Sequence, residues 1–112
     1  MDCIFCKIIN GEISSTKVYE DKMMIIINDI SPQATKHYLA IPKEHFANIV
    51  EMSKKQAKIV GKMLKKIGEL ADSLGLEDGF RIVSNKGENG CQSVNHLHIH
   101  ILGGEKLSEK MA

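Results

Sequence analysis

The sequence predicts a single α+β domain over residues 1–112, in which an antiparallel sheet of about five strands packs against one long helix and a short N-terminal helix. Short apolar segments repeat with the two-residue period of strands, and one long stretch repeats with the period of a helix. Neither a proline-rich linker nor an internal repeat divides the chain.

The first half of the chain predicts a helix followed by three strands. Ile4, Phe5, Ile8 and Ile9 have helical spacing, and this short helix should stop near Gly11. The next segments predict a hairpin and then a strand that ends at a proline, which lacks the N–H a ladder needs. These strands are Lys17–Glu20, Met23–Asn28 and His37–Ile41.

The second half predicts the long helix and the last two strands. Ser53 is placed to cap the helix, and Gly75 is placed to end it. Apolar residues recur between them at helical spacing. They are Ala57, Val60, Met63, Leu64, Ile67, Leu70, Ala71 and Leu74. Strands are expected at Gly79–Asn85 and Val94–Leu102, with the glycine-containing loop Lys86–Ser93 between them.

Composition and charge exclude several classes of protein. Fifteen Lys and Arg against fourteen Asp and Glu give a formal charge of +1, which provides no reason to expect a nucleic-acid or membrane partner. The longest apolar run, Met23–Ile27, is far shorter than the roughly 20 residues of a membrane helix, and no basic signal-peptide region starts at Met1. We therefore expect a cytoplasmic protein, whose three cysteines favour metal or thiol chemistry over disulfides.

Three histidines alternate with aliphatic residues near the C-terminus. In a strand, His96, His98 and His100 would share one face, while Leu97 and its aliphatic neighbours would occupy the other. The alternative is a solvated strand face. The outer two histidines of a straight strand lie about 13 Å apart, so all three cannot bind one metal. The sequence therefore predicts that the three divide between different tasks.

The loop before these histidines has residues suited to an anion. Gly87 and Gly90 allow backbone N–H groups to approach it, and Asn85, Gln92 and Ser93 add neutral donors. Neutral imidazole is also a nucleophile, so a phosphoryl or nucleotidyl group could be transferred to a histidine. A tight hairpin connection is the alternative explanation of the glycines.

At these residues the sequence resembles the histidine triad (HIT) family and its compact Hint-like branch. The strand motif of alternating histidines and apolar residues is complete from His96 to Leu102. The resemblance extends through Cys3-Ile-Phe-Cys-Lys-Ile-Ile, Val18-Tyr-Glu-Asp, Asn28-Asp-Ile-Ser-Pro-Gln-Ala, Ala40-Ile-Pro-Lys-Glu-His and Cys91-Gln-Ser-Val-Asn. It implies a HIT-like fold and a homodimer.

The resemblance also implies an activity, namely hydrolysis of purine nucleoside 5'-phosphoramidates or related nucleotide conjugates. His98 would attack the α-phosphorus, His100 would bind the phosphate, Ser93 would assist the leaving group, and His37 would extend the proton network. The substrate-binding set would be Asp29 for the ribose, Asn85 and Gln92 for phosphate oxygens, and Ile4, Phe5, Ile8, Ile27, Ile30 and Leu39 for the base. Plain core packing is the alternative for the apolar members.

Cys3 and Cys6 have the spacing of zinc ligands, but tetrahedral zinc needs two further donors. Histidines must supply them, and His45 and His96 are available if His98 and His100 serve the phosphate. The resemblance supports this structural zinc site, since some bacterial-type members of the branch have the same ligand set. A redox pair or a pair of inert buried thiols remains open.

Several positions depart from the family pattern. Lys36 precedes His37 and is placed to add positive charge near the phosphates, Cys91 replaces a common glycine, and Glu105 stands where a basic residue is frequent. The polar side of the long helix is a lysine face, for which solvation is the main explanation and an acidic protein or RNA partner the alternative. It comprises Lys54, Lys55, Lys58, Lys62, Lys65 and Lys66.

Two other functions compete with phosphoramidate hydrolysis. Dinucleoside polyphosphate cleavage or nucleotidyl transfer would use the same histidine and differ only in the leaving group or acceptor. A nucleotide-binding interaction module would need no nucleophile, so Ser93 and His37 beside the histidine motif argue against it.

Overall fold

The computed structural model describes residues 3–112, and Met1 and Asp2 lie outside the described residues. One antiparallel sheet contains five strands in the order β1-β2-β3-β5-β4. The elements in chain order are α1 (Ile4–Ile9), β1 (Lys17–Glu20), β2 (Met24–Asn28), β3 (Lys36–Pro42), α2 (Lys54–Leu70), β4 (Phe80–Val83) and β5 (Ile99–Gly103). The α+β class with two helices is confirmed.

The sheet has an apolar layer on each face because its central strands are buried on both sides. Met24 and Ile26 of β2 pack in a core beneath α2, together with Tyr38 and Ala40 of β3. The alternate residues Ile25, Ile27, Leu39 and Ile41 pack on the opposite face with α1. The two-residue period of strands therefore divides the structure into an α2 face and an α1 face.

The predicted cap of the long helix is confirmed, and its predicted end is wrong. Ser53 Oγ accepts from the Gln56 amide at 3.1 Å, and Gln56 Oε1 accepts from the Ser53 amide at 2.9 Å, which is a complete capping box. The regular helix stops at Leu70 instead of Gly75. One further turn follows the helix, and it is closed by a hydrogen bond from Leu76 N–H to Ala71 O at 2.9 Å. Gly75 ends this turn in a left-handed conformation, with φ of +78°.

The last strand starts at Ile99, so the prediction of a strand from Val94 is wrong. Its partner β3 ends at Pro42, which has no N–H to continue the ladder. Leu97 N–H instead bonds Phe46 O at 2.7 Å, and His96 bonds Pro42 O through its ring. His100 is therefore in β5, whereas His96 and His98 lie in the irregular segment before it.

The lysine face of α2 is exposed to solvent for most of its length. Within the described part of the chain, three surface ion pairs join it to acidic residues, between Lys55 and Glu44 at 3.7 Å and between Glu69 and both Lys65 and Lys66 at 3.4 and 3.2 Å. Exposed pairs of this kind contribute little to stability. The structure is thus consistent with a solvated face.

No helix within residues 3–112 has both the length and the apolar character needed to cross a membrane.

Candidate active site and metal centre

Four donor side chains from three separate segments meet at one point on the α1 face. Cys3 and Cys6 come from the start of α1, His45 from the connection after β3, and His96 from the irregular segment. His96 Nδ1 lies 3.3 Å from Cys3 Sγ, 3.6 Å from Cys6 Sγ and 3.0 Å from His45 Nδ1. Cys6 Sγ also lies 3.4 Å from His45 Nδ1.

These spacings fit a tetrahedral zinc ion. With bonds of about 2.3 Å to sulfur and about 2.05 Å to nitrogen, a tetrahedron separates sulfur from nitrogen by about 3.6 Å and nitrogen from nitrogen by about 3.3 Å. His96 Nε2 donates to the carbonyl of Pro42 at 2.9 Å, which leaves the Nδ1 lone pair directed at the other donors. The predicted ligand set is therefore brought together with the correct ring atoms available.

The orientation of His98 is fixed by the backbone next to it. His98 Nδ1 lies 2.8 Å from His96 O, and because a carbonyl only accepts, Nδ1 must hold the proton. His98 Nε2 then has a free lone pair. The Phe5 ring packs edge-on against both His98 and His96, with centroids 5.0 and 5.8 Å away. The helix that supplies the thiols therefore also supports this imidazole.

His37 and His100 form a hydrogen-bonded pair beside Asp29. Gln33 N–H donates to His37 Nδ1 at 3.0 Å, so the proton of the neutral ring is on Nε2. His37 Nε2 lies 2.9 Å from His100 Nδ1 and 3.3 Å from Asp29 Oδ2, and both can accept from it. His100 in turn carries its proton on Nε2. Ring centroids of His98 and His100 are 5.1 Å apart, which places this pair beside the His98 ring.

Asp29, His37 and His100 also lie close enough together to be considered as metal ligands. A metal on His37 Nε2 would require the proton on Nδ1, where it would oppose the N–H of Gln33. The hydrogen-bond pattern therefore favours a proton network over a second metal site.

Burial lowers the pKa of His98 and of His100. For His98, the hydrogen bond to His96 O and the charge of Asp29 oppose this shift without reversing it. For His100, neighbouring His98 and His37 lower the pKa further. Both rings are therefore neutral at pH 7, as a nucleophile and a donor of a neutral N–H require.

The loop from Asn85 to Ser93 is held together by its own amide side chains. Asn85 Nδ2 donates to Gly90 O at 2.6 Å. Gln92 Nε2 donates to Ala47 O at 2.7 Å and to Val94 O at 3.0 Å, and its Oε1 accepts from Gly87 N–H at 3.1 Å. In this structure the amide groups predicted to contact phosphate oxygens thus bond backbone groups and shape the loop. Ser93 is exposed at the end of it.

Cys91 holds a conformation that favours glycine, with φ of +57°. We expect Cys91→Gly to raise the free energy of unfolding by about 0.5–1 kcal/mol, because relief of the steric cost exceeds the added entropy of the unfolded chain. Urea denaturation would measure it. Gly87→Ala is the matched control, since Gly87 has φ of +73° and open space around a Cβ, and it should change stability in the opposite direction. A loss of stability in Cys91→Gly would contradict the expectation.

The predicted base-binding residues fall into two groups. Phe5, Ile8, Ile27 and Leu39 are buried together on the α1 face. Ile4 and Ile30 project outward, with 48% and 96% of their surface exposed. Ile30 lines a cleft of about 480 Å³ whose other walls are Ser14, Ser15, Thr16, Asn28 and Asp29. The three hydroxyl residues lie outside regular elements, and no pattern in the sequence indicated that they line this cleft.

The expectation for Lys36 is wrong. Its stem packs on the α2 face, where a Cβ on Gly104 would lie 2.6 Å from Lys36 Cγ and a Cβ on Gly75 would lie 3.1 Å from Lys36 Cε. Adjacent strand residues point to opposite faces, so Lys36 is directed away from His37 and the other histidines of the site.

Known proteins share this fold. The family model described as "Scavenger mRNA decapping enzyme C-term binding" matches residues 2–112. A 14 kDa zinc-binding protein of Zea mays is 44% identical over 107 residues, covering 94% of this chain and 84% of the relative.

Two solved structures are similar over nearly their whole length. A histidine triad protein from Clostridium difficile superposes with a TM-score of 0.92 at 46% identity, over 97% of this chain and 96% of the other. A HIT family hydrolase from Clostridium thermocellum gives 0.93 at 44% identity, over 99% and 97%. The fold and the site thus define a protein with the fold of a HIT family hydrolase. The chain belongs to the histidine triad family.

Proposed function

We propose that the protein is a nucleotide hydrolase that cleaves purine nucleoside 5'-phosphoramidates, or related nucleotidyl conjugates, through a covalent nucleotidyl-His98 intermediate. The observation that carries the proposal is the 2.8 Å hydrogen bond from His98 Nδ1 to His96 O, which leaves Nε2 as a nucleophile. The similarity to HIT family hydrolases supports the reaction class.

In the first step, His98 Nε2 attacks the α-phosphorus, and a bond from Nε2 to phosphorus forms as the bond to the leaving amine breaks. The leaving nitrogen keeps the electron pair and takes the proton of the Ser93 hydroxyl, which is replaced from solvent because Ser93 is exposed. His100 donates its Nε2 proton in a hydrogen bond to a phosphate oxygen, and the N–H of His37 fixes His100 in the tautomer that can do so.

In the second step, water attacks the phosphorus and gives up a proton toward Ser93. The bond from phosphorus to His98 breaks, so the products are a nucleoside monophosphate and the regenerated imidazole. The leaving amine and the water thus use the same proton route in opposite directions.

The nucleoside end of the substrate is assigned to the region around Asp29. Asp29 Oδ1 accepts from Ser31 N–H at 2.8 Å, and Oδ2 faces His37 and His100, so this carboxylate joins the cleft to the histidines. Ribose hydroxyls would bond Asp29, and the base would lie against the apolar group that includes Ile27 and Leu39.

The Cys3, Cys6, His45 and His96 centre is proposed to hold a structural zinc ion. Four protein donors close the coordination sphere, so the metal would stabilise the fold and take no part in the reaction. The Zea mays relative is named for binding zinc, which supports this proposal. Zinc would hold α1, and with it Phe5, against the segment that orients His98.

A homodimer is proposed through the β4 edge of the sheet and the adjacent side of α2. β4 has one neighbouring strand, and Phe80 and Ile82 expose 40% and 44% of their surface there. Ile49 and Leu64 border the same region, around an apolar cleft of about 190 Å³. Exposed apolar surface beside an open strand edge is typical of a protein interface.

The purified, metal-loaded protein is expected to convert adenosine 5'-phosphoramidate to AMP, with kcat/KM of at least about 10⁴ M⁻¹ s⁻¹. Separation of AMP from substrate by chromatography measures the rate, and the guanosine analogue run in parallel reports base preference. No turnover by a folded protein with its full metal content would contradict the proposed function.

A further inference from the structure

The connection between β2 and β3 is held by side chains instead of a backbone ladder. Its amides at Ser31, Gln33 and Thr35 each donate to a side chain, at 2.8, 3.0 and 2.8 Å. The acceptors are Asp29, His37 and Glu105 in that order. Because the connection is largely exposed, its conformation depends on these three hydrogen bonds.

Two of the three acceptors belong to the connection's own ends, and the third does not. Asp29 and His37 flank the connection directly, and their backbones are joined by a bond from Asp29 N–H to His37 O at 2.9 Å. Glu105 lies beyond β5 and 70 positions from Thr35. Its carboxylate therefore anchors the exposed connection to the rest of the sheet.

The amide of Thr35, which Glu105 holds, is two residues from the amide of Gln33, which sets the tautomer of His37. Gln33 N–H reaches His37 Nδ1 only while the connection stays in this conformation. If it moved away, Nδ1 of His37 could hold the proton in part of the molecules, while Asp29 Oδ2, 3.3 Å from Nε2, would still favour the Nε2-protonated form in the rest. The molecules with the proton on Nδ1 would have no proton on Nε2. In them His100 could keep the hydrogen bond only by donating from its own Nδ1, which would leave its Nε2 without a proton.

We propose that Glu105 is a positioning residue for the hydrolytic site. By holding Thr35, it keeps Gln33 on His37 Nδ1 and so keeps His100 ready to donate from Nε2. It acts through other residues and touches no reacting atom. The effect on turnover rests on the proposed function, whereas the effect on the His37 tautomer does not.

Glu105→Ala tests this proposal with two readouts. The expected kinetic result is a fall in kcat of about tenfold with KM changed less than about twofold, because a group acting in the transition state is displaced while the nucleoside contacts stay. The expected spectroscopic result, from ¹⁵N shifts of the labelled histidine rings without substrate, is partial loss of the Nε2-protonated form of His37.

Two variants serve as controls. Glu105→Gln keeps an oxygen acceptor for Thr35 N–H and should restore both readouts to near the wild-type values. Glu109→Ala removes the same charge from the exposed C-terminal segment and should leave both unchanged.

Wild-type behaviour of Glu105→Ala in both readouts would overturn the proposal, and so would equal losses in Glu109→Ala. Absence of phosphoramidate turnover in the wild type would instead count against the proposed function. In that event the ring-nitrogen shifts alone decide whether Glu105 positions His37.

Discussion

His98→Ala is expected to reduce phosphoramidate turnover by roughly 10⁴- to 10⁶-fold, since removal of a nucleophile disables the groups that act with it. The hydrogen bond from His98 Nδ1 to His96 O leaves the lone pair on His98 Nε2 free to attack. Steady-state AMP formation measures the loss. In rapidly quenched wild-type reactions, a protein mass increased by one nucleotidyl group should be present, and it should be absent from the variant.

A loss of fold must be distinguished from a loss of chemistry in His98→Ala, because Phe5 packs against this ring. Thermal melting and metal content provide the control, and both should remain close to wild type. Turnover within about tenfold of the wild-type rate would contradict the assignment of His98 as nucleophile.

Cys6→Ser is expected to abolish stoichiometric zinc binding and to lower Tm by roughly 10 °C, corresponding to about 2 kcal/mol in a domain of this size. Cys6 Sγ lies 3.4 Å from His45 Nδ1 and 3.6 Å from His96 Nδ1, so it is central to the donor set. Elemental analysis of protein purified without chelator and a thermal melt measure the two effects.

Cys91→Ser is the matched control for this experiment. Cys91 is exposed and lies outside the donor set, so its replacement should change neither the zinc content nor the Tm by much. Treatment of the wild type with a chelator should reproduce the Tm of Cys6→Ser. Full zinc content in Cys6→Ser would overturn the proposed metal site.

Much of the architecture could be predicted because it depends on periodicity that the sequence displays. The two-residue alternation of β2 and β3 and the helical spacing of α2 each correspond to a buried face. The division of the three histidines could also be predicted, since a straight strand separates its outer side chains too far for one metal. The structure brings His96 to the cysteines and leaves His100 beside Asp29, with the His98 ring next to that of His100.

Other parts of the site could not be predicted because backbone groups form them. The amide of Gln33 determines the tautomer of His37, and the carbonyl of His96 determines that of His98. Every residue has a carbonyl and every residue except proline has an amide N–H, so residue type carries almost no signal for such contacts. The start of β5 depends on the hydrogen bond from Leu97 N–H to Phe46 O, which also could not be predicted from the residue types. The direction of Lys36 could not be predicted either, because the predicted strand began at His37 and β3 starts one residue earlier.

The donor centre also joins distant parts of the chain. Cys3 and His96 are 93 positions apart, His45 and His96 are 51 apart, and only the two cysteines are close in sequence. An unfolded chain therefore offers an incoming ion two nearby thiols, and closing the two long loops to reach the imidazoles costs conformational entropy. An ion held by all four donors would bind the native state almost exclusively, so its concentration would shift the folding equilibrium towards the native state by mass action. Binding of the ion by all four donors would then indicate that the strands of the sheet have already come together.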